Sequence, residues 1–134
     1  MLRYARILVA EDNALIAMDL ADGLVAAGAR LLGPFARVAG ALQALEGSSI
    51  DAAILDANLA DRDVTPLATA LLARGIPFII YSGTGLPEAM RRWAPAITVV
   101  SKPASIASLI ERLARLIAMR ATADAAPRLV ATAA

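Results

Sequence analysis

Short apolar runs that stop abruptly at a polar residue constrain this chain more than any other feature. In Ala52-Ala53-Ile54-Leu55-Asp56-Ala57-Asn58-Leu59, four apolar residues lead straight into one carboxylate. A run this short, bounded by a polar loop, predicts a strand buried on both faces of a parallel sheet. The same pattern recurs. Arg6-Ile7-Leu8-Val9-Ala10 closes on Glu11-Asp12-Asn13, and Pro77-Phe78-Ile79-Ile80-Tyr81 on Ser82-Gly83-Thr84-Gly85. Ile97-Thr98-Val99-Val100 closes on Ser101-Lys102-Pro103. Arg30 to Phe35 is a further run, interrupted by Gly33-Pro34, which suits a sheet edge.

Between these runs the apolar period lengthens to that of a helix. From Asn13, a candidate N-cap, to a stop at about Gly28, the stripe expected to face inward is Leu15, Ile16, Leu20, Leu24 and Val25. Val38, Leu42 and Leu45 mark a second helix ending at Gly47. Leu67, Leu71 and Leu72 are the inward residues of a third, over about 64–74. A short, weak segment spans Pro87 to Trp93. A last helix, roughly Ser105 to Met119, carries Ile106, Leu109, Ile110, Leu113, Leu116 and Ile117. Five strands alternating with five helices predict an α/β domain with a parallel sheet. That domain is expected over 1–120, with 121–134 as a disordered Ala/Thr tail.

Two absences prune the chemistry. With no cysteine there is no disulfide or thiolate, and with no histidine there is no Ser-His-Asp triad, His-ligated metal or phosphohistidine of the chain's own. Carboxylates, hydroxyls, amides and cations remain, a donor set suited to magnesium or calcium. The net charge is +1 and no basic face is concentrated, so no nucleic-acid partner is expected. No run is long enough for a membrane span and the start does not resemble a signal peptide, so a cytoplasmic protein without membrane contact is expected. Of 13 basic residues, 12 are arginine and only Lys102 is lysine. Where a compact ammonium must enter a tight pocket the two are not interchangeable.

In a parallel sheet all strand ends point one way, so Glu11-Asp12, Asp56, Ser82 and Lys102 should share a single rim. Like charges about 4 Å apart cost on the order of 4 kcal/mol per pair at an effective dielectric of 20. A divalent cation would relieve this, and magnesium accepts one or two carboxylates with waters and a phosphate. The arrangement suits phosphoryl transfer to Asp56, with metal and Lys102 neutralising phosphoryl oxygens. The Ser82 hydroxyl and amides near Ala57 and Gly83 would complete the shell.

Ile7-Leu8-Val9-Ala10-Glu11-Asp12-Asn13, Ile54-Leu55-Asp56-Ala57-Asn58-Leu59, Tyr81-Ser82-Gly83 and Ser101-Lys102-Pro103 stand in the order and spacing of the response-regulator receiver domains. The chain resembles that family over roughly 5–120. The resemblance implies a flavodoxin-like, doubly wound five-stranded sheet in the order 2-1-3-4-5 flanked by five helices. It implies Asp56 as phosphoacceptor, Asp12 as a direct Mg2+ ligand, Glu11 as a partner through water, and the Asn58 backbone carbonyl as a further ligand. Ser82 takes the hydroxyl-switch position and Lys102 that of the phosphate-binding lysine, with the Lys102–Pro103 peptide often cis. Ala14 to Leu20, Gly33-Pro34 and Pro77 to Gly85 partly resemble alphaproteobacterial single-domain receivers. Ser82 and Thr84 there replace a threonine and a tyrosine.

One departure concerns signalling. Receivers commonly carry an aromatic gate three residues before the lysine, and here Val99 stands there. The output change is therefore expected in Gly83-Thr84-Gly85 and the short fourth helix, where two glycines ease rearrangement. Tyr81 is read as packing rather than a substitute gate. The function expected is that of a stand-alone receiver in a phosphorelay. It would take its phosphoryl group from a histidine kinase or histidine phosphotransfer protein, and dock on an unknown downstream protein or act as a phosphate sink. It would be a monomer or weak homodimer, phosphorylating and dephosphorylating only its own Asp56 and turning over no external substrate. A receiver-shaped interaction module that is never phosphorylated is the second reading. An aspartyl-phosphate hydrolase is a poor third, because Asn58 stands where such enzymes usually place a second acid. A receiver cut from a longer protein is the fourth.

Overall fold

The computed structural model describes residues 2–125. In chain order the elements are β1 (Arg6–Ala10), α1 (Ala14–Ala26), β2 (Arg30–Phe35), α2 (Val38–Glu46), β3 (Ala52–Leu55) and α3 (Thr65–Ala73). They continue with β4 (Phe78–Ser82), a 3-10 helix (Glu88–Trp93), β5 (Thr98–Ser101) and α4 (Ile106–Ala125). The sheet is parallel throughout, in the order β2-β1-β3-β4-β5.

Alternation along each strand splits the core in two. Leu8, Ala53, Leu55 and Ile80 face α2 and α3, packing on Val38, Leu45, Leu67 and Leu71. Ile7, Val9, Ile54 and Ile79 face α1 and α4, packing on Leu20, Leu24, Leu109 and Leu113. Helices on both faces bury every residue of the central strands except Arg6, which is why these strands read as unbroken apolar runs. At the edge, Gly33 allows β2 its irregular register against β1: its φ is +101°, and a Cβ there would meet the Val9 carbonyl at 2.7 Å.

Three expectations are corrected. The inward stripe of α1 consists of Leu20 and Leu24 with Ala17 and part of Ile16, whereas Leu15 and Val25 are 75 % and 58 % exposed. At 100° per residue, Leu15, Met18 and Val25 share the outer face, and small residues fill much of the inner one. Leu72 of α3 is likewise exposed, one helical step off the Leu67–Leu71 row. The final helix runs past 120, through Ala125. Alanine is the best helix former, and the Thr122 hydroxyl bonds back to the Ala118 carbonyl at 2.9 Å. The rest of the expected tail, 126–134, lies outside the described residues. The fourth helix is a single 3-10 piece that anchors the buried Met90.

α1 meets α4 at Gly23, where an added Cβ would overlap Ile106 Cγ2. A β-branched methyl cannot swing clear, so the helix-propensity gain of alanine is outweighed. Gly23→Val is expected to cost about 1–3 kcal/mol, seen as a lower urea midpoint at unchanged slope.

Neither end of α2 is capped by a side chain of its own flank. Asp61, in the loop after β3, accepts from the Val38 and Ala39 amides at 2.7 and 3.1 Å. Arg74, closing α3, donates to the Leu45 and Ser48 carbonyls at 2.7 and 2.8 Å. An anion at the N-terminus and a cation at the C-terminus also match the helix dipole.

Candidate functional site

The sheet itself sets the rim. Residues just beyond the strands still bond into the neighbouring strand or its continuation: Glu11 N to Phe35 O at 2.8 Å, Asp56 N to Ala10 O at 2.8 Å, and Lys102 N to Ser82 O at 3.0 Å. Backbone pairing thereby fixes three side chains relative to each other before any of them interact.

Lys102 Nζ lies 2.7 Å from Glu11 Oε1 and 3.1 Å from Asp56 Oδ2, bridging the two acids. Glu11 is only 3 % exposed, and its other oxygen accepts the Asn13 amide at 3.1 Å. The Asn13 side chain in turn caps α1, accepting from Leu15 and Ile16 at 3.0 and 3.1 Å. One carboxylate oxygen from each of Glu11, Asp12 and Asp56 lies within 4.8 Å of the other two. All-oxygen donors at that spacing, with a single ammonium against three carboxylates, fit a hard divalent cation.

A hydroxyl chain borders Asp56. Ser82 Oγ, buried, accepts the Thr84 amide at 3.0 Å and lies 3.1 Å from Thr84 Oγ1. Asn58 Nδ2 donates to Thr84 Oγ1 at 3.3 Å, and Asn58 N approaches Asp56 Oδ1 at 3.4 Å. Asn58 also pairs with Asp63 in an isolated bridge that closes the 59–62 turn. Ala57 is buried beneath the loop, whereas Gly83 has open space around it. The expected residues thus collect at one end of the sheet. The Lys102–Pro103 peptide is cis, and Val99 is 37 % exposed. Tyr81, read from sequence as packing, also makes polar contacts: its hydroxyl meets both backbone groups of Ala104 and its ring faces Lys102. No local signal announces a partner 23 residues away.

Burial pushes the Glu11 carboxyl up to about 7, helped by its hydrogen bond with the Asp56 carboxyl and opposed by Lys102. Burial alone would lower the Lys102 ammonium, but its bonds to Glu11 and Asp56 hold it above the ordinary lysine value. The raised Glu11 value sets a pH dependence. Between its ordinary 4.5 and about 7, the folded chain holds a proton that the unfolded chain has lost. That contribution to stability is complete below 4.5 and disappears as pH rises through about 7. With divalent ions chelated, melting temperature should fall between pH 5 and pH 8 more steeply for the native chain than for Glu11→Gln. Equal slopes would contradict the assignment.

A doubly wound 2-1-3-4-5 sheet with an acid cluster, a lysine and a hydroxyl on its C-terminal rim is the architecture of a receiver domain, and the chain belongs to the response-regulator receiver family. No family model matches it. It is 38 % identical to SdrG of Sphingomonas melonis Fr1, over 85 % of this chain and 97 % of that one, with a TM-score of 0.72. The BeF3-activated conformation of SdrG from Pseudomonas melonis Fr1 gives 39 % identity, 87 % and 99 % coverage and a TM-score of 0.68. A response regulator receiver protein of Sinorhizobium medicae WSM419 is 25 % identical over 90 % of this chain and 99 % of that one, with a TM-score of 0.78. The transcriptional regulatory protein PdtaR of Mycobacterium tuberculosis is 34 % identical over 109 residues, 78 % of this chain. The chain spans 53 % of the length of that curated relative. No helix among the described residues is long and apolar enough to cross a membrane.

Proposed function

We propose that Asp56 accepts a phosphoryl group from the phosphohistidine of a histidine kinase or phosphotransfer protein. The observation that carries this is the Asp56 carboxylate at the strand-end rim, in contact with the Lys102 ammonium and clustered with the carboxylates of Glu11 and Asp12. A carboxylate oxygen attacks phosphorus in line, the P–N bond breaks, and the imidazole leaves and is reprotonated from water. Lys102 turns from Asp56 Oδ2 to a phosphoryl oxygen, while the Ser82 hydroxyl and the Ala57 and Gly83 amides donate to the others. Asp12, Asp56, the Asn58 carbonyl and, through water, Glu11 would hold Mg2+. Bound there, the ion supplies charge neutralisation of the phosphoryl oxygens.

Glycines flank Thr84, and the Gly85 φ of +83° suits no other residue as well. Thr84 ties this loop to Ser82 and Asn58, so a hydroxyl drawn to the phosphate would release it towards the 3-10 helix. Beryllofluoride, added with Mg2+ as a phosphoryl mimic, should shift the backbone resonances of Asp56, Ser82 and Lys102, and of 83–93 beyond them. No shift at Asp56 would overturn the phosphoacceptor reading, and no shift at 83–93 the loop reading.

Beside the acids lies a groove of about 350 Å³ lined by Ala14, Ala17, Met18, Ala21 and Pro34. With the exposed Leu15 and Met18 it offers an apolar seat to the donor protein. Replacing both with serine is expected to slow transfer from a phosphohistidine protein about tenfold, worth some 1.4 kcal/mol. Capture from acetyl phosphate, which needs no docking, should stay within about twofold.

A further inference from the structure

We infer that Tyr81 is a positioning residue for Lys102, holding the 102–104 segment at the distance the phosphoryl site requires; this rests on the phosphoacceptor reading above. Tyr81 is the penultimate residue of β4, 5 % exposed, with its ring in the core shared with α1 and α4. Its hydroxyl accepts the Ala104 amide at 3.1 Å and donates to the Ala104 carbonyl at 3.3 Å. The Lys102 ammonium stands 5.5 Å from the ring centroid, within cation–π range.

These contacts close a bracket. On the near side, Lys102 is pinned to β4 by the hydrogen bond its backbone N–H donates to the Ser82 carbonyl. On the far side, β5 has ended and the chain turns through Pro103 towards α4. Beyond Lys102, the two hydrogen bonds of the phenol with Ala104 are the only ones among the described residues that tie this turn to a neighbouring strand. The residue next to Tyr81 is Ser82, so adjacent positions of β4 carry the hydroxyl of the site and the tether of its cation. A lysine has four rotatable bonds, and fixing the backbone on both sides reduces the arrangements in which Nζ misses the gap between Glu11 and Asp56.

Tyr81→Phe keeps the ring and removes the tether; Tyr81→Leu removes both. Both are compared with the native chain for Mg2+-dependent capture from acetyl phosphate, well below their melting temperatures. Tyr81→Phe should lower the maximal rate on the order of tenfold with the half-saturating acetyl phosphate concentration unchanged, and Tyr81→Leu should lower it further. In a Lys102→Ala background, Tyr81→Phe should have no additional effect, because it acts through Lys102. A native rate in Tyr81→Phe, or an equal further loss in the Lys102→Ala background, would overturn the inference. Failure of the native chain itself to capture a phosphoryl group would instead overturn the reading on which it rests.

Discussion

Asp56→Asn is expected to leave a folded protein that takes up no phosphoryl group. The substitution is nearly isosteric, the Asp56 side chain is partly open to solvent, and Lys102 keeps its 2.7 Å partner in Glu11. Yet an amide oxygen lacks the charge to attack phosphorus, so the nucleophile is gone. Neither neighbour can replace it. Both oxygens of Glu11 are engaged, by Lys102 and by the Asn13 amide, inside the protein. Asp12 is exposed and lacks the lysine contact that would receive the incoming charge. Capture should therefore fall by more than about a thousandfold, to below detection on a phosphate-affinity gel. Residual labelling at Glu11 or Asp12 would count against this geometry.

Lys102→Ala removes the chain's single lysine. It leaves Glu11, Asp12 and Asp56 with no cation among them, and takes away the group proposed to receive the phosphoryl oxygens. Loss of one preorganised donor of this kind costs about a hundred- to a thousandfold in rate. Stopped-flow fluorescence of Trp93 during capture from acetyl phosphate would measure it. Arginine should not rescue. Lys102 Nζ fits between oxygens at 2.7 and 3.1 Å as a point donor, whereas a guanidinium is broad and planar. Rates for Lys102→Arg near the native value would show that only charge matters there.

Strand ends were legible in the sequence because a parallel sheet converts chain order into position. Once Leu55 ends a buried run, Asp56 must stand on the rim, and the same holds for Glu11, Ser82 and Lys102. The helices were less legible. Periodicity located α1 but placed Leu15 and Val25 inside, because the inner face is partly Ala17 and Gly23, and small residues carry little apolar signal. Contacts between distant segments left no trace at all. Asp61 and Arg74 lie in segments well beyond α2 in the chain, yet together they cap it. Tyr81 read as packing because its hydroxyl partner is a backbone group, and backbone groups have no sequence.

The central claim is metal-dependent phosphoryl acceptance at this rim, and intact-mass spectrometry of the native chain tests it most directly. The chain would be incubated with acetyl phosphate, once with Mg2+ and once with a chelator. One added phosphoryl group with Mg2+, and none under chelation, is the predicted result. No addition in the presence of Mg2+, or equal addition after chelation, would contradict the account.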